Sequence, residues 1–273
     1  MSRKKWTNEK LIFRLLNNKS DSTYWDNIGV LRSRPSNEVY TKAIELANSE
    51  IEKEKIIGID ILAQLGHTPR PYIEEIIKLY FELIENEQSP DILMSLLYAI
   101  GHNNENLNLK QVSKLIENKS DKNVKVRQAL VFALLSVKSK KAIDTLIELM
   151  NDKVSSIRNW ATFGIGSQIE TNNAKIIDAL WKRIDDRHNE TKLEAIVGLA
   201  IRGDSRINAI IKRELRGGDY GLLLFEAIEA IEVKNDNEII TLLESDLNTY
   251  ISNDSISPIW LNGLKKCIKI LKQ

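Results

Sequence analysis

Residues 157–166 read Ile-Arg-Asn-Trp-Ala-Thr-Phe-Gly-Ile-Gly, and a ten-residue unit of the same kind recurs along the chain. Residues 126–135 and 191–200 are clear copies, and weaker copies occur both before and after them. The six units end at positions 66, 101, 135, 166, 200 and 232, so successive ends lie 31 to 35 residues apart. A period of this length is typical of proteins built from stacked structural repeats.

Each ten-residue unit predicts a helix, because its apolar residues fall at the first, fifth, and eighth or ninth positions, which share one helical face. A second amphipathic stretch precedes most units, with turn signals such as Asn151-Asp152 and Gly217-Gly218-Asp219 between the pairs. These preceding stretches are residues 72–84, 109–116, 142–150, 176–184 and 207–215. Each repeat is therefore predicted to be a helical hairpin that buries its apolar face only against neighbouring hairpins.

The period extends beyond the clear copies at both ends of the chain. Residues 10–16 with 24–31, and 238–247 with 256–271, continue the pattern, which makes about eight hairpins in all. No alternating strand pattern is present, so the sequence predicts an all-α fold. We expect one solenoid over residues 1–273, made of N-terminal capping helices (1–49), clear repeats (50–235) and a C-terminal capping hairpin (236–273).

The repeated unit resembles a known family. Residues 157–166 match most of the pattern Val-Arg-x-x-Ala-x-x-Ala-Leu-Gly, and residues 126–135 match much of it. This pattern belongs to the HEAT repeats, in particular the bacterial HEAT-like class named after phycobilisome lyases. The resemblance implies a right-handed α-solenoid, an armadillo-like α–α superhelix that serves as a recognition scaffold. The lyase activity in the class name is not carried over, because no residue here locates a bilin site.

The family also places an aspartate in the turn, six residues before the arginine of this pattern. Asp121 precedes Arg127 by this spacing, and Asp152 precedes Arg158. A turn carboxylate beside a planar guanidinium can form charge-assisted hydrogen bonds between stacked hairpins. We therefore expect these four residues to form a structural ladder that sets each repeat on the next.

Composition narrows the class of protein further. Hydrophobic residues make up 42% of the chain, and the formal charge is only +1, which disfavours nucleic acid as a partner. Residues 1–10 lack the apolar core of a secretory signal, and no apolar run is long enough to span a membrane. The single cysteine, Cys267, lies in an apolar segment and is expected to be buried. The sequence thus predicts a cytoplasmic protein without membrane contact.

Signals for chemistry are sparse. The three histidines, His67, His102 and His188, lie far apart in sequence, and no cluster has the spacing of metal ligands. His67 and His102 each follow the last glycine of a repeat unit, where they suit the end of a helix. We expect no catalytic residue, no metal and no cofactor, and interpret the chain as a non-enzyme.

The fourth and seventh positions of the second helices form one stripe, because this spacing is about one helical turn. If the stripe faces the concave side of the solenoid, its central aromatic residues offer an anchor for a partner. Its C-terminal acids would attract cationic side chains of a protein or peptide. The predicted partner-binding residues are Asp60, Tyr98, Phe132, Trp160, Phe163, Glu194, Glu226 and Glu229. Phe132 and Phe163 could instead pack between adjacent repeats.

Two other functions remain open at this point. HEAT-like alkylpurine DNA glycosylases resemble the chain in architecture, and Trp160 and Asp60 match their site residues in type but not in motif. Their cleft is basic, however, whereas the C-terminal part of the stripe is acidic. A toxin-neutralising immunity protein is an alternative within the binding class, since some small bacterial HEAT-like proteins are thought to fill that role.

Overall fold

The computed structural model describes residues 3–231, 236–253 and 255–273. Helices, turns and irregular segments account for all of these residues, and none of them lies in a strand. The predicted all-α fold is therefore confirmed. The last repeat unit ends at Glu232, which lies outside the described residues.

Sixteen α-helices follow one another in the described part of the chain, which agrees with about eight helical hairpins. The first eight are α1 Asn8–Leu16, α2 Asp21–Arg32, α3 Asn37–Ala47, α4 Glu52–Gln64, α5 Ile73–Asn86, α6 Pro90–Gly101, α7 Leu109–Leu115 and α8 Val124–Leu134. The others are α9 Lys140–Leu149, α10 Ser155–Phe163, α11 Ala174–Trp181, α12 Asn189–Ile201, α13 Ile207–Gly217, α14 Leu222–Ala230, α15 Asn237–Tyr250 and α16 Pro258–Leu271.

Helices α1 to α8 belong to the first of two compact units, unit 1 (Met1–Ala142) and unit 2 (Ile143–Gln273). Within unit 1, the even-numbered helices α2, α4, α6 and α8 pack in sequence against one another. Within unit 2, α10, α12, α14 and α16 do the same. These even-numbered helices are the second helices of the predicted hairpins, so each unit stacks its repeats in the manner of an α-solenoid.

The turn signals of the sequence coincide with helix ends. Ser89 caps α6 by accepting a hydrogen bond from the Ile92 amide, and Pro90 follows in the first turn, where its missing N–H costs nothing. Asn108 and Gln111 form a reciprocal capping box at the start of α7. Gly218 ends α13 in the left-handed region, at φ 72°.

Helix α12 is the most deeply buried helix of unit 2. Residues 193–200 are all buried, and a Cβ atom added to Gly198 would lie 2.6 Å from the Cα of Gly166. Only glycine permits so close an approach of two backbones. The glycine at position 166, where a predicted repeat unit ends, is therefore required for the packing of these two segments.

A single turn of π-helix, Gly164–Gln168, continues α10 at this contact. Arg202, which follows α12, donates hydrogen bonds to carbonyl groups at this turn. The Arg202 guanidinium donates to the carbonyl oxygens of Ile165 and Gly166, each at 2.7 Å. It also donates to the Ile169 carbonyl at 2.7 Å. The guanidinium thus satisfies carbonyl groups that the irregular turn leaves without helical partners.

Candidate functional site

Asp60, the predicted binding residue of α4, lies in a hydrogen-bonded network across three second helices of unit 1. Asp60 of α4 accepts hydrogen bonds from the Tyr24 hydroxyl of α2 at 2.7 Å and from the Ser95 hydroxyl of α6 at 2.8 Å. Burial raises the pKa of Asp60 to about 6, although both hydrogen bonds act to lower it. Both carboxylate oxygens are therefore engaged inside unit 1.

The aromatic residues predicted in unit 1 contact each other at the C-terminal end of α6. The rings of Tyr98 and Phe132 lie 5.3 Å apart between centroids, and His102 lies 5.2 Å from Phe132 on its other side. Tyr98 and Phe132 are both half-buried. Phe132 of α8 thus packs against α6, as expected for a residue between adjacent repeats.

In unit 2 the aromatic pair of the stripe is more open. Trp160 exposes 44% of its surface. Its ring meets that of Phe163 edge to face at 5.7 Å. Phe163 is half-buried and supports the tryptophan from the following turn of the helix. The structure brings these two residues together and leaves an accessible tryptophan on unit 2.

Glu194 holds the equivalent position on the neighbouring helix α12 and is only 9% exposed. Among the described residues it forms no hydrogen bond or ion pair, and its buried Oε2 has no partner. Burial, together with the nearby negative charges of Glu226 and Glu190, raises the pKa of Glu194 to about 7. Burying a charged carboxyl without a hydrogen-bond donor costs free energy. Glu194 therefore differs from the apolar residues that surround it in the core.

The two remaining acids of the stripe lie on α14. Glu226 is exposed. Glu229 is half-buried and accepts a hydrogen bond from Lys266 of α16 at 2.8 Å. Glu226 is therefore the stripe acid that adds to the charge around Glu194, whereas Glu229 already has a cationic partner within unit 2.

Each arginine predicted for the ladder bonds the turn before its own helix, and Arg158 also bonds the turn of the following hairpin. Arg158 donates to the backbone carbonyl of Asp152 at 3.0 Å, and its Nε and Nη2 bond both carboxylate oxygens of Asp186, at 2.9 and 2.8 Å. The Asp152 carboxylate accepts from the amide of Val154 at 2.8 Å. The guanidinium thus joins its own turn to the turn of the following hairpin.

The same arrangement repeats in part at the other predicted positions. Arg127 is buried and donates to the backbone carbonyl of Asp121 at 2.7 Å, while the Asp121 carboxylate accepts from the Asn123 amide at 2.6 Å. Lys192, which stands where an arginine would be, bonds the buried Glu214 of the next helix. The basic position is therefore used for contacts at the turn or with the following helix.

Trp25 of α2, which sequence reasoning assigned only to the N-terminal cap, lies between two cavities of unit 1. It is 52% exposed and lines one cavity of about 630 Å³ with Tyr24 and Asp60. The other, of about 380 Å³, also contains Arg32. The spacing of seven residues between Trp25 and Arg32, two turns of helix, is the signal that could have placed them on one face.

Other kinds of site are not visible in the described part of the chain. No group of three or more histidine, cysteine, aspartate or glutamate residues there could hold a metal ion. None of the described helices is long and apolar enough to cross a membrane. Cys267 is buried and has a free thiol.

A comparison with known protein families agrees with the period of the hairpins. It also agrees with the stacking of their second helices and with the arginine at the turn. Residues 109–200 match the family HEAT_2, described as HEAT repeats. This part of the chain is similar to HEAT repeats. The resemblance inferred from the repeated unit is thereby confirmed, and the region includes the HEAT hairpins that carry Arg127, Arg158 and Glu194.

A relative of similar length matches the chain beyond these HEAT repeats. Protein YibA of Escherichia coli strain K12 is 25% identical over 254 residues, which cover 92% of this chain and 89% of YibA. An X-ray structure of YibA superposes with a TM-score of 0.72 and 24% identity, covering 99% of this chain and 94% of that chain. The chain is similar to YibA over nearly its whole length and shares its fold.

A chain in a second solved structure shows the same HEAT-like fold at lower identity. The structure concerns Kap95p binding and its effect on the switch loops of RanGDP. The TM-score is 0.56 at 14% identity, with 96% of this chain and 41% of that chain covered. At this identity the similarity describes the fold alone.

Proposed function

We propose that this protein is a non-catalytic cytoplasmic scaffold that binds a protein or peptide partner. The proposed contact surface in unit 2 contains Trp160, Glu194 and Glu226. The observation that carries the proposal is the buried carboxyl of Glu194, which has no hydrogen-bond partner among the described residues and sits on the helix next to an exposed tryptophan. A cationic side chain from a partner would supply what this carboxyl lacks.

The electrostatics of the surface favour a lysine or arginine of the partner. Glu226 and Glu190 act on Glu194 with the same sign of charge, so a bound cation would reduce repulsion among three carboxylates. It would also give the Glu194 oxygens a charge-assisted hydrogen bond. The same negative charge would repel a phosphate backbone, which argues against the glycosylase alternative for this surface.

The tryptophan supplies the apolar part of the contact. Trp160 presents an open indole that is supported by Phe163, and tryptophan is among the residues that most often dominate binding energy at interfaces. Its face can also hold a cation. An exposed aromatic anchor beside buried acid fits a peptide in which a basic residue lies next to an apolar one.

Scaffolds of this architecture provide a precedent for such a role. One of the structures with the same fold concerns the binding of Kap95p to RanGDP, and stacked helical repeats offer extended surfaces that suit protein ligands. A toxin-neutralising immunity protein would be one form of this proposal, with a toxin as the partner. In that case the neighbouring open reading frame should encode the toxin.

The test begins with a pull-down on the purified chain, identification of the partner by mass spectrometry, and measurement of its binding by surface plasmon resonance. We expect Trp160→Ala to weaken binding by more than about 1 kcal/mol. Trp25→Ala removes an exposed tryptophan from unit 1 and serves as the matched control. Equal affinity of wild type and the folded Trp160→Ala variant would contradict the proposed surface.

Charge gives a second and independent readout. Glu194→Lys should slow association at low salt, because it reverses the sign of the charge that attracts the partner. Asp219→Lys makes the same change of charge in an exposed loop of unit 2 and should alter the rate less. Wild-type affinity should also rise between about pH 6 and pH 8, as Glu194 loses its proton near pH 7.

A further inference from the structure

A second candidate site lies in unit 1 and includes none of the residues of the proposed partner surface. A cavity of about 380 Å³ opens beside α2 and the C-terminal ends of α4 and α6. Its lining consists of Trp25, Ile28, Gly29, Arg32, Gln64 and His102. The volume falls within the range of pockets that hold small molecules. One wall is apolar, and the other is polar and basic.

The Arg32 guanidinium is the unusual group of this cavity. Arg32 is half-buried and ends α2. Among the described residues its guanidinium forms no hydrogen bond and no ion pair, and its Nε is buried without an acceptor. The C-terminal turn of a helix suits a cation, but this position supplies no acceptor for Nε. Buried guanidinium groups normally have such acceptors.

A second guanidinium, that of Arg70, and the imidazole of His102 lie near this arginine. Partial burial lowers the pKa of His102, and Arg70 and Arg32 lower it further. Arg70 is held by the Ala63 carbonyl and by Asn103, so its position is fixed by the protein. Glu105 acts on Arg70 with the opposite sign. Two guanidinium groups and an imidazole therefore lie close enough to affect one another, with one acid near Arg70.

A neighbouring cavity contains the acidic residues of this region. It has a volume of about 570 Å³, shares His102 with the first cavity, and is lined by Arg70, Glu74 and Glu105. Its acids lie on the side of Arg70 rather than in the cavity of Arg32. The cavity that contains Arg32 thus presents positive charge, and no carboxylate of the described residues lines it.

We infer that this cavity binds a small organic anion, whose phosphate or carboxylate group pairs with Arg32 and whose apolar part lies against Trp25. Arginine presents several N–H donors in a plane, which suits the paired oxygens of either group. The open indole of Trp25 and the side chain of Ile28 give the apolar part a wall. This function is separate from partner binding at Trp160.

Three probes distinguish the sources of the anionic group. Inorganic phosphate tests charge alone, phenyl phosphate adds an aromatic body, and benzoate replaces the phosphate by a carboxylate. Binding is followed by NMR through the imidazole signal of His102, one of only three histidines in the chain. We expect phenyl phosphate or benzoate to shift this signal in a saturable way and to raise the pKa of His102, because a nearby anion stabilises imidazolium.

Two variants test the cavity, and a third controls for net charge. Arg32→Gln should weaken binding of the organic probe by about ten-fold or more. A Cβ at Gly29 meets no atom within 4 Å, so Gly29→Leu should fill the cavity and abolish binding while the chain stays helical. Arg187→Gln removes the same charge from an exposed position of unit 2 and should leave affinity within about two-fold.

The outcomes separate this inference from the proposed scaffold function. If none of the three probes gives a saturable shift of His102, the site does not exist. If Arg32→Gln and Arg187→Gln weaken binding equally, or Gly29→Leu has no effect, any binding is general attraction of anions and the inference is overturned. Trp160→Ala, which tests the partner surface, should leave binding of the anion unchanged.

Discussion

Asp60 in unit 1 and Glu194 in unit 2 occupy the same position of their repeat units, yet they have opposite surroundings. Both are carboxyls whose pKa is raised by burial, to about 6 and about 7. Asp60 accepts hydrogen bonds from Tyr24 and Ser95. Glu194 has no hydrogen-bond partner among the described residues and is close to two other glutamates.

The same repeat position therefore lies in a bonded network in unit 1 and has no hydrogen-bond donor among the described residues of unit 2. Repetition of a helical hairpin presents the same stripe of side chains several times. Where neighbouring repeats supply hydroxyl donors, the carboxyl joins second helices to each other. Where they supply further acids, the carboxyl has no donor in the described part of the chain and is costly to ionise.

The largest effect is expected at a third carboxyl, Asp186, which has the complete set of partners that Glu194 lacks. Arg158→Ala removes its bidentate partner and leaves an aspartate side chain that is only 5% exposed. Arg183 and the His188 amide still bond Asp186 in this variant, so we expect a loss of about 2–3 kcal/mol in the free energy of unfolding, measured by urea denaturation at neutral pH. The exposed Arg187→Ala should cost less than about 0.5 kcal/mol.

Unfolding at low pH tests whether the charge of Asp186 causes this loss of stability. Hydrogen bonding to Arg158 lowers the pKa of Asp186 below 3.8, so the stability that this pair contributes is present above that pH and is lost as the carboxylate is protonated. The difference between wild type and Arg158→Ala should therefore shrink below about pH 4. A difference that stays constant down to pH 2 would point to packing rather than charge.

The next effect has the opposite sign. Glu194→Gln should stabilise the chain by about 2 kcal/mol at pH 8, because it removes a buried charge whose pKa is about 7 in the folded state. A raised folded pKa means that stability is present below the unfolded value and declines as pH rises through 7. The gain should therefore disappear near pH 4.5 in urea titrations.

Glu226→Gln is the control for this variant, since it changes the same functional group at an exposed position. It should alter stability by less than about 0.5 kcal/mol. A destabilised Glu194→Gln protein at pH 8 would mean that the carboxylate has a stabilising partner, and the contrast with Asp60 would no longer hold.

The smallest effect is expected in the unit 1 network. Tyr24→Phe removes one of the two hydroxyl donors to Asp60 and should cost about 1.5 kcal/mol at pH 8, the usual size for a hydrogen bond to a charged group. Because this bond lowers the pKa of Asp60, the cost should be less at pH 4, where the carboxyl is neutral.

A second tyrosine offers the matched control. Tyr40 stacks on Tyr72 with ring centroids 4.0 Å apart, and Tyr40→Phe retains this stacking. Thermal unfolding of the two variants side by side should show a lower Tm for Tyr24→Phe alone. Equal Tm values would indicate that Asp60 is satisfied without the Tyr24 hydroxyl.

The sequence was sufficient for the fold because the repeat is local. Apolar spacing and turn residues act within a single hairpin, so the unit at 157–166 predicts a helix and its neighbours predict the stack. Arg158 bonds the backbone carbonyl of Asp152 and also the carboxylate of Asp186 in the next turn, a partner that the six-residue spacing does not indicate.

The candidate sites were less accessible to sequence reasoning, because they depend on what a side chain lacks. The residue type of Glu194 is visible in the repeat alignment, but its burial and missing donor follow from the packing of α12. Arg32 was treated only as part of a capping hairpin. An unpartnered guanidinium cannot be inferred from spacing, since its partners could come from any neighbouring helix.

The contact between α10 and α12 has a consequence for the order in which unit 2 folds. In a stack of repeats, folding spreads between nearest neighbours and starts most readily where two adjacent hairpins hold each other most strongly. Here the approach of Gly166 and Gly198, the carbonyl bonds of Arg202 and the pair of Arg158 with Asp186 all act across the same two hairpins. We expect amide protons of α12 to exchange most slowly in unit 2, and folding there to begin at this pair and extend toward α16.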